Sequence, residues 1–335
     1  MREDIGVEVL PNGYILINRT LQRLFASVSK FDMIEEIMLK NTFLHVPGLG
    51  IKTEAKFWSS GIQSWEDLLG QELIHFSPKK GDVLKRSLEE SIEHLSNRNP
   101  NFFGDRLPPN QFWRIFPEFR ESVAYLDIET TGLDFCFNQI TTIALYDGKS
   151  IFTYVQGQNL DEFREDIQRY KVLVTYNGRC FDVPFIGGCL GIKLDQVHID
   201  LRYILKSIGY TGGLKGCEKK AGIDRGDLEG VDGYFAVLLW DDYQRNKNQK
   251  ALETLLAYNI QDVVNLETLM VLSYNLKLRE TPFTETHQLD LPSSPEIPFK
   301  ADLETIEKVK RQVIENYWMS SSSRWSYPGY STRSY

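Results

Sequence analysis

Long apolar runs are missing from this sequence of 335 residues, and none approaches the roughly 18 apolar residues of a membrane span. Residues 1–4, Met-Arg-Glu-Asp, carry charge where a secretory signal would begin an apolar run. We therefore expect no membrane partner and no export. The sequence predicts a soluble, cytoplasmic protein.

Cysteine is also scarce, and its four positions are Cys136, Cys180, Cys189 and Cys217. None of them forms a CxxC pair, and no histidine lies at zinc-ligand spacing from them, which excludes the common zinc motifs. We expect four reduced thiols in or near a core.

Positive charge is not in excess, since the formal net charge is −8. This balance disfavours a protein that coats nucleic acid nonspecifically, because such binding depends on Lys and Arg that neutralise phosphates. A carboxylate cluster that holds divalent cations is itself acidic, so the charge is compatible with a metal enzyme. The hydrophobic fraction of 42% indicates a packed core.

The chain divides into four parts by the texture of its sequence. Residues 1–96 are predicted to form a small helical domain, and residues 97–121 a connector that packs by its aromatic rings. Residues 122–276 read as strands followed by helices. Residues 277–335 form an extension with one helix at 303–317 and a disordered end. Alternatively, the arginines and aromatic rings of that end stack on single-stranded nucleic acid.

The order of elements in residues 122–276 indicates a fold class. Strands are predicted at 123–129, 140–146 and 149–155, then a helix at 161–170, a buried strand at 171–176, a helix from about 184, a short strand at 196–199 and helices to about 276. Three strands in a meander, then helix–strand–helix–strand, is the order of the ribonuclease-H-like fold. The predicted class is α/β, with a mixed sheet flanked by helices behind the small helical domain.

Two acids, Asp127 and Glu129, end the first predicted strand. Strand side chains alternate between faces, so these two carboxylates lie side by side. They repel each other when buried, and a divalent cation would relieve that repulsion. The alternative is an exposed strand end at which water solvates both acids.

Two further motifs follow the first. Asp182 comes after the buried strand in Asn-Gly-Arg-Cys-Phe-Asp, at the strand end where α/β sheets hold ligands, although a helix cap is the alternative. Tyr258 and Asp262 are four residues apart in a helical pattern and therefore share a face. Each motif is unspecific alone, but the three in this order predict a metal site.

The series DxE, NGxxFD and YxxxD resembles the three exonuclease motifs of the DEDD superfamily. Residues 107–270 more closely resemble the YprB-like ribonuclease-H-type family, which is related to the proofreading domain of B-family DNA polymerases. The matching segments are LDIETTGL at 126–133, NGRCFDVPF at 177–185 and LLAYNIQDV at 255–263. Position 257 is Ala, so the histidine of the other DEDD subclass is absent and the tyrosine subclass fits.

This resemblance implies a 3′→5′ exonuclease that acts on a single-stranded 3′ end with two Mg²⁺ or Mn²⁺ ions. By the same resemblance, Asp127 would bridge both ions, Glu129 and Asp262 would lie mainly on the nucleophile side, and Asp182 would act through water. Tyr258 would orient the attacking water. Its ordinary pKa near 10 favours positioning over a role as general base.

Other residues near the acids are weaker candidates. Thr130, Thr131 and Gly132 either let the terminal nucleotide approach or form an ordinary turn. Asn177 is a further candidate for nucleic-acid contact. Asp200 is predicted to cap a helix rather than to support the site.

A second candidate for nucleic-acid contact is Val-Pro-Gly-Leu-Gly at 46–50, which resembles the hairpin of a helix–hairpin–helix motif spanning about 43–70. Gly48 and Gly50 would let backbone amides approach phosphate oxygens, and Lys52 would add charge. Glu54 and its acidic neighbours Glu66 and Asp67 weigh against a basic face. The alternative is a hairpin that contacts protein.

Two other functions remain open from the sequence. One is a noncatalytic adaptor that uses the fold to recognise nucleic acid. The other is a structure-specific endonuclease that uses the same metal site. The choice between DNA and RNA stays open as well.

Overall fold

The computed structural model describes residues 7–9, 15–17, 38–71 and 77–322, with side chains in 38–71 and 77–312. Residues 1–37 and 38–335 separate into two compact units. In the first unit, β1 (Val7–Val9) pairs with β2 (Ile15–Ile17) in antiparallel fashion. The C-terminal tail from residue 323 lies outside the described residues. In the part of the chain that is described, no helix has the length and apolar character needed to cross a bilayer.

Five helices among the described residues between 51 and 119 precede the sheet and confirm a helical N-terminal region. They are α1 (Ile51–Ser59), α2 (Trp65–Leu69), α3 (Pro78–Ser96), α4 (Asn101–Gly104) and α5 (Phe116–Phe119). The Ser64 side chain accepts from the Asp67 backbone N–H, and Asp67 accepts from the Ser64 backbone N–H. This reciprocal pair is a capping box, which fixes where α2 begins.

Aromatic rings bury the predicted connector, residues 97–121, against the rest of the second unit. The Trp113 and Tyr274 ring centroids are 5.6 Å apart, with the planes inclined at 60°. Arg114 forms an ion pair of 2.9 Å with Glu54 of α1, and both side chains are buried. The connector therefore packs on the helices before it and on the long helix after it. The domain boundaries at 96, 121 and 276 stay predictions.

A five-stranded mixed sheet forms the centre of the second unit. Its strands are β3 (Val123–Thr130), β4 (Ile140–Tyr146), β5 (Ile151–Val155), β6 (Val172–Thr175) and β7 (Val197–Asp200), in the order β5-β4-β3-β6-β7. The meander β3-β4-β5 is antiparallel, and β6 and β7 run parallel to β3. The predicted ribonuclease-H-like mixed sheet is confirmed.

Seven helices of this unit follow or flank the sheet among the described residues. They are α6 (Phe163–Asp166), α7 (Asp182–Leu190), α8 (Leu201–Ser207), α9 (Gly213–Ala221), α10 (Gly233–Asn246), α11 (Gln249–Leu278) and α12 (Leu303–Ser322). Helix α11 has 30 residues, most of them buried, and it packs across β3 and β4. A helix that is buried on nearly every side belongs to the core. The helix predicted at 303–317 is present as α12.

The prediction that all four thiols lie in or near a core is wrong for two of them. All four cysteines are free, but only Cys217 is buried, whereas Cys136 and Cys180 are exposed. These two lie in the loop after β3 and in the turn after β6, where no face of a strand or helix turns them inward.

Candidate metal centre and cleft

Asp127 and Glu129 lie on β3, the central strand of the sheet. Strand alternation places both carboxylates on one face and Ile128 on the other. On one side β3 is paired with β4 as far as Thr130, with a register shift between Glu129 and Thr130. The two acids therefore project from a backbone that its neighbours hold in place.

On its other side, β3 extends beyond its pairing with β6, which ends at Tyr125 opposite Val174. The backbone N–H of Ile128, between the two acids, donates instead to Asp182 Oδ1 at 3.2 Å. Asp182 is the first residue of α7, whose cap position is occupied by Phe181. Asp182 thus satisfies a backbone group of the strand that carries Asp127 and Glu129, and the alternative of a helix cap is wrong.

Helix α11 supplies the third acid. Carboxylate oxygens of Asp127, Glu129 and Asp262 all lie within 4.8 Å of one another. Within residues 38–71 and 77–312, no other group of three or more His, Cys, Asp or Glu side chains is this close. The structure brings together three of the four predicted acids, and Asp182 lies outside that group.

Crowding and burial shift the protonation of these acids. Burial, then the charges of Asp262, Asp182 and Glu129, raises the pKa of the Asp127 carboxyl well above its ordinary value. Burial and the charge of Asp262 likewise raise the pKa of Glu129. For Asp182, burial raises the pKa to about 7. Burial and neighbouring acids therefore disfavour the charged forms of Asp127, Glu129 and Asp182.

The donor set fits a hard divalent cation. Carboxylate oxygens suit Mg²⁺ and Mn²⁺ better than zinc, which prefers nitrogen and sulfur ligands. Asp127, Glu129 and Asp262 would hold such an ion, because their oxygens converge and repel one another in its absence.

An amide fixes the orientation of Asp127. Asn259 Nδ2 donates to Asp127 Oδ2 at 2.7 Å, and Asn259 Oδ1 accepts from the Thr142 hydroxyl at 3.0 Å. The sequence did not predict this positioning role for Asn259, although Asn259 stands directly after Tyr258 in the third motif.

The phenol of Tyr258 is buried and meets a cation. Lys215 Nζ donates to the Tyr258 hydroxyl oxygen at 2.6 Å and lies 4.5 Å from the ring centroid. Burial, then the charges of Asp262, Glu129 and Asp127, raises the pKa of this phenol far above its ordinary value of 10. Tyr258 is therefore a neutral phenol at physiological pH, which favours positioning over proton abstraction.

A buried arginine touches Asp262. Arg225 Nη2 lies 2.6 Å from Asp262 Oδ1, and its Nη1 donates to both oxygens of Glu218 at 2.8 Å. Arg225 and Glu218 carry no local sequence signal for the site, since both precede Asp262 by more than 30 residues.

The acids lie at one end of a cleft of about 710 Å³. Its other walls come from the end of β6, from α8 and from the start of α9. Cationic and aromatic side chains line these walls, namely Tyr176, Arg202, Lys206, Tyr210 and Lys215. A negatively charged polymer with flat bases matches this combination of charge and rings.

Comparison with known families agrees with this architecture, since residues 124–274 match the family described as the RNase_H superfamily. Residues 124–274 are an RNase_H superfamily domain. The match contains β3 to β7 and most of α11, and hence all four acids and Tyr258. No curated protein matches the chain.

Solved structures give only distant similarities. The family B DNA polymerase from Pyrobaculum calidifontis is 16% identical with a TM-score of 0.38, and the match covers 50% of this chain and 27% of the polymerase chain. Brucella melitensis NrnC bound to pGG is 15% identical with a TM-score of 0.35, over 65% of this chain and 94% of NrnC. NrnC with bound Mg²⁺ gives 16% identity and a TM-score of 0.34 over the same shares. TM-scores this low support no conclusion about this chain.

One wall of the RNase_H superfamily domain's cleft is held by Asp200. Its carboxylate accepts from the backbone N–H groups of Asn177 at 2.8 Å and Arg179 at 3.1 Å, and it caps α8 by accepting from Arg202 N. The predicted helix cap is confirmed, with a second role in the turn after β6. Asn177, in the left-handed region at φ 66°, lines the cleft and accepts from Arg202 Nη1.

The segment after Glu129 is an ordered turn. The Thr130 hydroxyl donates to Gly132 O at 2.6 Å, and the Thr131 hydroxyl donates to Asn138 Oδ1 at 3.2 Å. A Cβ at Gly132 would clash with the Asn138 side chain. The turn alone therefore accounts for this glycine, and nucleotide contact by Thr130 and Thr131 stays a prediction.

The hairpin candidates lie apart from the acid group in sequence, at the start of α1. Gly50 occupies the cap position of α1 without a side-chain cap, and Gly48 has φ 79°. Lys52 is exposed, whereas Glu54 is buried against Arg114. Of the three acids that weigh against a basic face, Glu54 is thus buried, whereas Glu66 and Asp67 are exposed. Nucleic-acid binding by this hairpin stays a prediction.

Proposed function

We propose that this chain is a metal-dependent 3′→5′ exonuclease of the tyrosine DEDD type, acting on single-stranded DNA or RNA with two Mg²⁺ or Mn²⁺ ions. The observation that carries the proposal is the convergence of Asp127, Glu129 and Asp262 at the end of a cleft with cationic and aromatic walls. The match of residues 124–274 to the RNase_H superfamily supports nuclease chemistry.

The protein's own groups would each take a part in this reaction. Divalent cations, when bound, supply an activated water and offset the charge that develops on the phosphate. Asn259 holds Asp127 in one orientation. Because Lys215 donates to the Tyr258 oxygen, the phenolic proton of Tyr258 is free to point at the attacking water or at a phosphate oxygen. Asp182 would act through water, since it lies outside the group of three acids.

The cleft walls would bind the rest of the strand. Arg202 and Lys206 are four residues apart on α8, so they share one face that lines the cleft and can neutralise successive phosphates. Tyr176 and Tyr210 offer rings on which bases stack. Such contacts do not depend on base identity, so we expect little sequence preference.

The test is nucleotide release from labelled single-stranded DNA and RNA with Mg²⁺, Mn²⁺ or EDTA. We expect metal-dependent release by the wild type, its loss in Asp127→Asn, and no loss in Asp161→Asn, whose carboxylate is on the surface. A 5′ label shows the direction, because 3′→5′ degradation gives a shrinking ladder. The same assay shows whether DNA or RNA is the preferred substrate.

Two outcomes would favour other functions. Cleavage of a circular strand without ends would make the protein an endonuclease. Tight binding without turnover at any metal concentration would make it a noncatalytic adaptor.

A further inference from the structure

A cation is buried inside the group of acids. Arg225 lies in the turn after α9, is buried, and places Nη2 2.6 Å from Asp262 Oδ1. From the opposite side it is held by Glu218, whose two oxygens each accept from Nη1 at 2.8 Å. Glu218 also accepts from Asn265 Nδ2 at 2.7 Å, so this carboxylate is fixed from two directions.

A guanidinium on a metal ligand has two opposing effects. Its ion pair with Oδ1 of Asp262 draws that oxygen toward the guanidinium and leaves the second oxygen for a cation. Its positive charge also repels a divalent cation at the same acid, and this repulsion is strong because the groups are buried. Arg225 alone would therefore weaken the site that it orders.

Glu218 offsets that repulsion. It is fully buried and takes two hydrogen bonds from Arg225, so the pair brings almost no net charge to Asp262. Because the pair is neutral overall, Arg225 can orient Asp262 without weakening the attraction between Asp262 and a cation.

We propose that Glu218 and Arg225 form a positioning pair that sets the affinity of Asp262 for a divalent cation. The proposal rests on the metal site of the proposed function, but not on hydrolysis. Arg225 fixes the direction of the carboxylate, and Glu218 cancels the charge of Arg225.

The test is a titration of this 335-residue chain with Mn²⁺ alone. Electron paramagnetic resonance measures the free ion at each step. Glu218→Gln leaves the charge of Arg225 uncompensated, so we expect the Mn²⁺ dissociation constant to rise by roughly tenfold or more. Arg225→Gln removes the positive charge beside Asp262, so we expect tighter Mn²⁺ binding. The double variant removes one charge of each sign and is expected to return close to the wild-type affinity.

A pair with only a structural role would not give this pattern. Both single variants would then shift Mn²⁺ affinity in the same direction, in step with their loss of thermal stability, and the double variant would be worst. Such a result overturns the proposal. A matched control is Glu267→Gln, on the same helix as Asp262. It breaks the 2.8 Å ion pair of Glu267 with Arg120 and should leave Mn²⁺ affinity unchanged.

Failure of the proposed function would look different. A wild type that binds Mn²⁺, loses it in Asp127→Asn, and still releases no nucleotide would refute the exonuclease while the opposite shifts of the two single variants upheld the pair. Absence of Mn²⁺ binding by the wild type would overturn both.

Discussion

Asp127 and Tyr258 face the same end of the cleft with different chemistry. Asp127 is a carboxylate with oxygens of two other acids within 4.8 Å, in a group that could hold a cation. Tyr258 is a neutral phenol whose oxygen already accepts from Lys215. In the proposed function, the first group would hold the metal and the second would position a reactant.

We therefore expect Asp127→Asn to reduce nucleotide release by several orders of magnitude. Tyr258→Phe should cost less, about 10²-fold, because a positioning hydroxyl contributes no more than the lower end of general acid–base effects. Single-turnover kinetics at saturating Mn²⁺ measures both. A Tyr258→Phe variant as inactive as Asp127→Asn would refute this division of roles.

Asp182 gives a prediction about pH. Its carboxyl releases a proton near the ordinary value of 3.8 when unfolded and near 7 when folded without metal, mainly because it is buried. Between these values the folded state holds more protons than the unfolded state, so the free energy of unfolding falls as pH rises, by up to roughly 4 kcal/mol in total. Below about pH 4 this contribution is fully present, and above pH 7 it is lost.

In EDTA, the free energy of unfolding of Asp182→Asn should therefore depend less on pH between 4 and 7 than that of the wild type. Chemical denaturation at several pH values measures this difference. Equal slopes for the two proteins would show that Asp182 does not carry the raised pKa.

The site was predictable from the sequence where local geometry governs it. Alternation on a strand placed Asp127 beside Glu129, and helical spacing placed Tyr258 one turn from Asp262. Arg225 was not predictable, because its contact with Asp262 depends on how the turn after α9 folds back onto α11. No periodicity records such a long-range contact.

At the scale of elements, one ion pair fastens α1 to the connector. Glu54 and Arg114 are buried at 2.9 Å, and Glu54 also accepts from the Phe43 backbone N–H at 2.7 Å. We expect Glu54→Leu to lower the free energy of unfolding by about 3–5 kcal/mol, since it leaves a buried guanidinium unpaired. Thermal and chemical unfolding measure the loss.

The matched control for this pair is Glu66→Gln on α2. Glu66 forms a 3.3 Å ion pair with Lys40, and both side chains are substantially exposed. We expect a change within about 1 kcal/mol, because water screens such pairs. A loss for Glu54→Leu no larger than that of the control would show that the buried pair does not hold α1.

The loop between β3 and β4 presents apolar side chains to solvent. Leu133 is 88% exposed and Phe137 87% exposed, and both follow Glu129 within eight residues. Exposed apolar groups so close in sequence to the acids suit contact with an unstacked base. We expect Leu133→Ser with Phe137→Ser to raise KM for single strands roughly tenfold without changing Tm. An unchanged KM would remove this loop from the substrate site.

The exact bounds of strands and helices could not be predicted from the sequence alone. The third strand of the sheet was predicted to begin at 149 but begins at Ile151. Asp147 Oδ1 accepts from the backbone N–H groups of Lys149 at 3.0 Å and Ser150 at 2.7 Å, so these amides are used in the turn. Side-chain capping of this kind competes with strand pairing, and apolar periodicity does not reveal it. The helix predicted at 161–170 is likewise divided into α6 and flanking 3₁₀ turns.

At the scale of the whole molecule, positive charge is local. The chain carries a net charge of −8, yet three cations line the cleft: Arg202, Lys206 and Lys215. We expect the logarithm of single-strand affinity to fall against the logarithm of salt concentration with a slope of about −2, from three phosphate contacts at roughly −0.7 each. Anisotropy of a labelled oligonucleotide, with Asp127→Asn in the background to prevent turnover, measures this slope.

Removing two of these cations tests where the strand lies. Arg202→Ala with Lys206→Ala should reduce the slope to about −0.7, which corresponds to one remaining contact. The control is Lys149→Ala with Lys193→Ala, two exposed cations that pair with Glu121 and Asp195 instead of lining the cleft. A slope that falls equally in both double variants would contradict binding in the cleft.

The backbone N–H of Ile128 donates to a side chain, although it belongs to the central strand of the sheet. Ile128 stands between Asp127 and Glu129, the two acids of the strand, and its amide is hydrogen-bonded to a third acid, Asp182. In a ¹⁵N–¹H spectrum this one resonance would follow both the protonation of Asp182 and the occupancy of the site. The fold thus contains its own spectroscopic reporter, which needs no attached label.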